Sequence, residues 1–178
     1  MKAAAVIVAV SAMTATAIAK PPPVPEVDRG PHRILPASSA IEVDGHLDEP
    51  AWGDAWSMEL AFEVQPGENV PPPVRTVVLV TYDEDAVYVA FRAFDPDPGA
   101  IRAHLSDRDQ VDVDDWVGVM LDTFNDERRC FDFLVNPLGV QCDLVETENG
   151  NGGGEAWDAI WDSAARITDW GYVVEMRI

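Results

Sequence analysis

The densest patch of chemistry-bearing residues is an acidic run, Asp107-Arg108-Asp109-Gln110-Val111-Asp112-Val113-Asp114-Asp115. Hard cations such as calcium take several carboxylate oxygens from a flexible segment, and Asp107, Asp109, Asp112, Asp114 and Asp115 could supply them. The spacing is not that of an EF-hand loop, which needs a central glycine and a terminal glutamate. In a chain with 32 acidic residues, a solvated acidic loop is the competing reading. A second pattern is aromatic. Trp157 and Trp161 are four residues apart, a spacing that shares a face in a strand or a helix, and Asp158 and Asp162 follow them. Flat rings bordered by carboxylates can stack on C–H surfaces and accept hydrogen bonds from hydroxyls. Trp116 is a third such ring. Core or edge packing is the competing reading for Trp157 and Trp161. Trp52 and Trp56 flank a short early helix and are expected in the core.

Other chemistries find less support. The two cysteines, Cys130 and Cys142, flank a turn signal, Asn136-Pro137-Leu138-Gly139. If Val135 pairs with Val140, the two sulfurs face opposite sides of the hairpin. A shift of one residue puts them on one side but about 13 Å apart along the strand. A disulfide needs Cα atoms within about 7 Å, so two thiols are expected. Without a Cys-x-x-Cys pair, zinc is not indicated. The stretch Glu148 to Glu155 is glycine-rich but lacks the Lys-Ser/Thr of a phosphate-binding loop. His32, His46 and His104 suggest no catalytic triad, and nothing selects a catalytic carboxylate pair. No catalytic residue is assigned.

These residues must be positioned by a modest fold. The chain has 178 residues and a formal net charge of −20. That charge disfavours nucleic acid and anionic membrane surfaces, both of which are bound through clustered Lys and Arg. Residues 1–19, MKAAAVIVAVSAMTATAIA, read as a secretory signal: one early lysine, an apolar run, and a small-x-small ending. An exported protein is expected, in the periplasm, at the outer membrane or outside the cell. Residues 20–36 hold six prolines and read as an extended linker. The domain is expected over 37–178.

Asp48 is placed as the cap of a short helix reaching about Ala55, with Pro50 in its first turn. Strand signals follow at Glu59–Val64, Val74–Tyr82, Ala86–Phe94, Asp115–Thr123, Arg129–Asn136, Gly139–Thr147, Ala164–Thr168 and Tyr172–Ile178. Gly99–Leu105 looks weakly helical. Many short antiparallel strands with no βαβ unit predict an all-β antiparallel sandwich. Because Val173–Ile178 runs on as mid-strand, the chain is expected to be incomplete at its C-terminus.

Three segments carry a family resemblance. Ile41–Trp52 (IEVDGHLDEPAW) resembles the opening of family 9 carbohydrate-binding modules. Tyr82–Ala90 (YDEDAVYVA) resembles their second signature and Asp114–Asp122 (DDWVGVMLD) their third. Leu121–Asp126, Val135–Gln141 and Trp157–Ala164 are similar to a subgroup of exported proteins. In that subgroup such a module precedes an outer-membrane-barrel-like domain. The resemblance implies a β-sandwich that stacks a sugar between tryptophans and often carries structural calcium. Asp95 and Asn136 match family binding positions. The family's first tryptophan position holds Asp112, its glutamate position Gly118 and its arginine position Leu134. Trp157, Trp161 and Trp116 are therefore the candidate replacements.

The leading expectation is a non-catalytic carbohydrate-binding module with an oligo- or polysaccharide partner. One alternative is an interaction domain, appended to an outer-membrane barrel, that has lost sugar binding. Another is the N-terminal part of a glycoside hydrolase whose catalysis lies beyond Ile178.

Overall fold

The computed structural model describes residues 31–63, 69–125, 127–148, 154 and 157–178. The expected signal sequence, most of the expected linker and most of the glycine-rich stretch lie outside them. The elements are α1 (Pro50–Asp54), β1 (Trp56–Glu59), β2 (Thr76–Tyr82), β3 (Val87–Phe94), a 3-10 turn (Pro98–Ala100), β4 (Val117–Leu121), β5 (Arg129–Val135), β6 (Gln141–Thr147), β7 (Asp162–Thr168) and β8 (Gly171–Arg177). They form two antiparallel sheets. One has five strands in the order β1-β2-β3-β8-β7, and the other has three in the order β4-β5-β6. This is the expected sandwich.

Three local expectations need correction. The first strand is Trp56–Glu59 rather than Glu59–Val64, because its alternation lays Trp56 and Met58 on the inner side against Val80 and Val78. Glu63 makes only a lone bridge with Val70. The helix begins after Glu49, not Asp48, and no side chain caps it. The Glu49 carboxylate instead accepts the Glu42 N–H at 2.9 Å. The weakly helical stretch shrinks to one 3-10 turn. Beyond it, the Arg102 and His104 N–H groups donate to the carboxylates of Asp115 and Asp114 instead of to helical carbonyls.

Apolar alternation builds three packed layers. The inner cluster joins the facing sides of both sheets, with Val89, Phe91, Val174 and Met176 meeting Val117, Phe133, Val135 and Trp161. α1 covers the back of the large sheet, where Trp52 meets Leu79, Tyr88 and Ala90. Val111 covers the back of the small sheet over Val140 and Cys142, with Leu134 alongside. β3 is therefore buried on both faces, which is why it reads as a continuous apolar run. Described residues ahead of Ala37 also touch the domain. Pro36 bridges to Tyr82, Thr81 Oγ1 donates to the Leu35 carbonyl at 2.9 Å, and His32 stacks on the half-buried Trp56 at 5.0 Å.

The β5–β6 hairpin takes the shifted register. Val135 faces Gln141, Leu134 faces Cys142 and Cys130 faces Glu146. The Asn136 side chain sets this register by accepting the N–H groups of Leu138 (3.0 Å) and Val140 (2.9 Å) across the turn. Both cysteines then share a face, four positions apart, and neither forms a disulfide. Thiol titration under denaturing, non-reducing conditions is expected to count two reactive thiols per chain. A count of zero would show a crosslink this register forbids.

Candidate binding cleft

The connection from β3 to β4 crosses between the sheets, and a cleft of about 500 Å³ opens where it does so. Ligand pockets commonly measure roughly 300–1,000 Å³. Leu60, Val74, Phe94, Asp95, Asp115, Trp116 and Tyr172 are among the residues that line it. Trp116 is 48% exposed just ahead of β4, a position that leaves its ring open to solvent. Phe94 is braced by Trp170 at 4.9 Å and by the Arg75 guanidinium 4.8 Å above its ring. Tyr172 is buried, and burial, with Asp115 and Asp95 adding to it, pushes its phenol well above its ordinary value.

The acids are held by a network. Asp114 is buried and accepts three hydrogen bonds: from His104 Nδ1 (2.6 Å), the His104 N–H (3.0 Å) and Asn136 Nδ2 (2.7 Å). The His104 ring holds its carboxyl below the usual aspartate range. Asp115 receives both the backbone N–H and the guanidinium of Arg102, each at 3.0 Å. Asp95 accepts the Asp97 N–H at 2.7 Å through one oxygen.

The structure separates the sequence candidates. Trp116 and Asp95 line one cleft. Asn136 is fully buried and lies behind them. Its amide holds Asp114 and the His104 carbonyl, and its oxygen is taken by the turn. These bonds tie it to Asp114 in the cleft wall. Trp157 and Trp161 are elsewhere. Trp161 is 7% exposed and packs edge-on against Phe133 at 5.2 Å. Trp157 is half-buried against Phe131 at 4.8 Å. The aspartates behind them are engaged within the domain: Asp158 pairs with Arg108 and Asp162 with Arg177. Arg108 also pairs with the buried Asp143, whose other oxygen accepts the Ala159 N–H at 2.6 Å. These contacts pin the segment from Trp157 to Trp161 against the sandwich edge.

The acidic run does not converge on a point. Asp114 and Asp115 have the partners just given, and Asp109 accepts the Asp143 N–H at 3.2 Å. Among the described residues, no three acids of this run bring their ligand atoms within 4.8 Å of one another.

Two of the three positions at which the sequence departs from the pattern it resembles, Gly118 and Leu134, are partners. Gly118 on β4 lies directly opposite Leu134 on β5. A Cβ at 118 would sit 2.3 Å from Leu134 Cδ2 and 2.8 Å from the Phe133 carbonyl. A side chain at 118 would require the Leu134 side chain to rotate away and the β5 backbone at the Phe133 carbonyl to shift. Leu134 instead joins the apolar layer under Val111. The sequence reading missed Phe94 and Tyr172 as cleft residues. Phe94 precedes Asp95 directly, which was an available signal. Tyr172 had none, since it reaches the cleft only through the pairing of β3 with β8.

No family model matches the chain, and no curated protein matches it. Among solved structures, the chain is similar to a family 9 carbohydrate-binding module from Caldicellulosiruptor kristjanssonii, solved in complex with cellotriose. The TM-score is 0.56 and the identity 18%, covering 83% of this chain and 67% of that one. The two share the β-sandwich fold.

Proposed function

We propose that this domain is a non-catalytic carbohydrate-binding module and that the glycan lies in the cleft between β2 and β4. The carrying observation is Trp116, a half-exposed ring that lines one cleft with Asp95 and Asp115. An indole face stacks on the axial C–H groups of a pyranose, and carboxylates accept hydrogen bonds from its hydroxyls. The neighbour's cellotriose complex supports an oligosaccharide as the ligand class. The signal-like residues 1–19 support an exported setting, with the periplasm, the outer membrane or the outside as the address. Attachment to an outer-membrane barrel is part of the same proposal.

Calorimetry with cello-oligosaccharides and a panel of other glycans tests this reading. Trp116→Ala is expected to weaken binding about tenfold to a hundredfold, the equivalent of about 1–3 kcal/mol for one stacked ring. Its melting temperature should stay close to the parent's, because the ring is already half in water. Undiminished affinity in Trp116→Ala would remove the cleft from the account. The pairing of Gly118 with Leu134, where the family has polar residues, favours a second reading as a protein-interaction appendage. Failure of the intact domain to bind any glycan would select that reading.

A further inference from the structure

The outer face of the small sheet carries a cluster that the cleft does not use. Alternation along β5 puts Cys130 and Asp132 on this face, and the hairpin register sets Glu146 directly across from Cys130. The thiol sulfur and one oxygen from each carboxylate lie within 4.8 Å of one another. Some point is therefore within about 2.8 Å of all three atoms, against roughly 2.0–2.3 Å for zinc–oxygen and zinc–sulfur bonds, so small side-chain rotations close the gap.

A second observation points to a ligand. Asp132 is 2% exposed, and its Oδ1 is buried with no hydrogen-bond partner. A buried carboxylate oxygen left unpaired is costly, and such groups are normally satisfied by a partner or a metal. Among the described residues, no ion pair reaches Asp132 or Glu146. Arg129 is adjacent in sequence, but alternation carries it to the other face, over the rings of Phe124 and Phe131.

We propose that Cys130, Asp132 and Glu146 bind a divalent transition metal of the zinc class. Calcium and magnesium prefer all-oxygen shells, whereas zinc and its neighbours accept a mixed sulfur and oxygen set. Three protein ligands leave a fourth coordination position, and Cys130 and Glu146 line a cavity of about 270 Å³ together with Asp122, Arg128 and Arg129. On binding, the thiol gives its proton to solvent and the thiolate holds the metal. This site stands apart from the cleft and does not depend on glycan binding.

Cobalt titration of the reduced full chain tests the proposal. The expected result is a thiolate-to-cobalt charge-transfer band that saturates at one cobalt per chain and disappears when zinc is added. Cys130→Ala should abolish the band, and Cys142→Ala should keep it, since that thiol is four strand positions away. In competition with a chromogenic chelator, Asp132→Asn and Cys130→Ala should each weaken zinc binding at least tenfold. Melting curves without metal show whether each variant is folded. Absence of the band in the parent protein overturns the site, as does unchanged zinc affinity in folded Cys130→Ala.

Discussion

Trp161→Ala is expected to cost about 3–5 kcal/mol of folding stability, the usual range for removing a buried tryptophan. For a domain of this size that is a fall of roughly 10–15 °C in melting temperature. The indole is 7% exposed and sits between the sheets beside Phe133, Val135 and Val174. Truncation leaves a cavity that β5 and β8 cannot close without losing their own pairing. The indole Nε1 is buried without a hydrogen-bond partner. Trp161→Phe removes that unpaired donor while keeping most of the apolar area, so it should cost well under half as much. Denaturant unfolding measures both variants. Glycan affinity, measured well below the melting transition, should be unchanged in both, because Trp161 does not line the cleft. A variant that melts like the parent but loses affinity would restore Trp161 as a sugar platform and refute the cleft assignment.

The second large effect belongs to Glu175, a fully buried carboxyl on β8 that anchors the N-terminal segment. It accepts the N–H groups of Gly45 (2.6 Å) and Asp44 (3.1 Å) and the indole N–H of Trp52 (3.0 Å). Those bonds favour the charged form, but burial outweighs them and Glu49 adds to it, raising the group to about 7 from 4.5. The folded state therefore binds this proton more tightly than the unfolded chain. Its contribution is fully present below about 4.5 and is lost as pH rises through about 7. At about 1.4 kcal/mol per unit, the loss between pH 5 and pH 8 is on the order of 2–3 kcal/mol.

The formal charge of −20 also makes the protein less stable at higher pH through self-repulsion. The diagnostic quantity is therefore the stability of the parent minus that of Glu175→Gln, followed from pH 5 to pH 8. It should fall steadily with rising pH, since only the parent titrates at this position. A flat difference would mean that Glu175 is ionised throughout. Glu175→Ala strands three donors at once and is expected to cost about 3–5 kcal/mol near pH 6.

Local chemistry was readable in the sequence because strands and turns are short-range events. The alternation of Val87, Val89 and Phe91 predicted a strand with one face toward the core, and that face lies in the inner cluster. The proline- and glycine-marked turn at Asn136–Gly139 predicted the β5–β6 hairpin. Pro50 predicted the start of the early helix to within a residue. The absence of any βαβ pattern predicted two antiparallel sheets.

What the sequence left open was decided by contacts between residues far apart in the chain. Trp116, Trp157 and Trp161 carry the same side chain with aspartates adjacent, and nothing local distinguishes them. Only the closing of the small sheet over the large one buries Trp161 and leaves Trp116 at a cleft edge. The acidic run read equally as a cation loop or a solvated loop, and nothing local showed that His104 and Asn136 hold Asp114 while Arg102 holds Asp115. Cys130, Asp132 and Glu146 showed no metal-binding spacing, because their proximity arises across a hairpin whose register is fixed by the Asn136 turn. A one-residue slip there exchanges the two faces of a strand. Periodicity specifies that a face exists; pairing, which minimises unpaired backbone groups and exposed apolar area together, decides which residues share it.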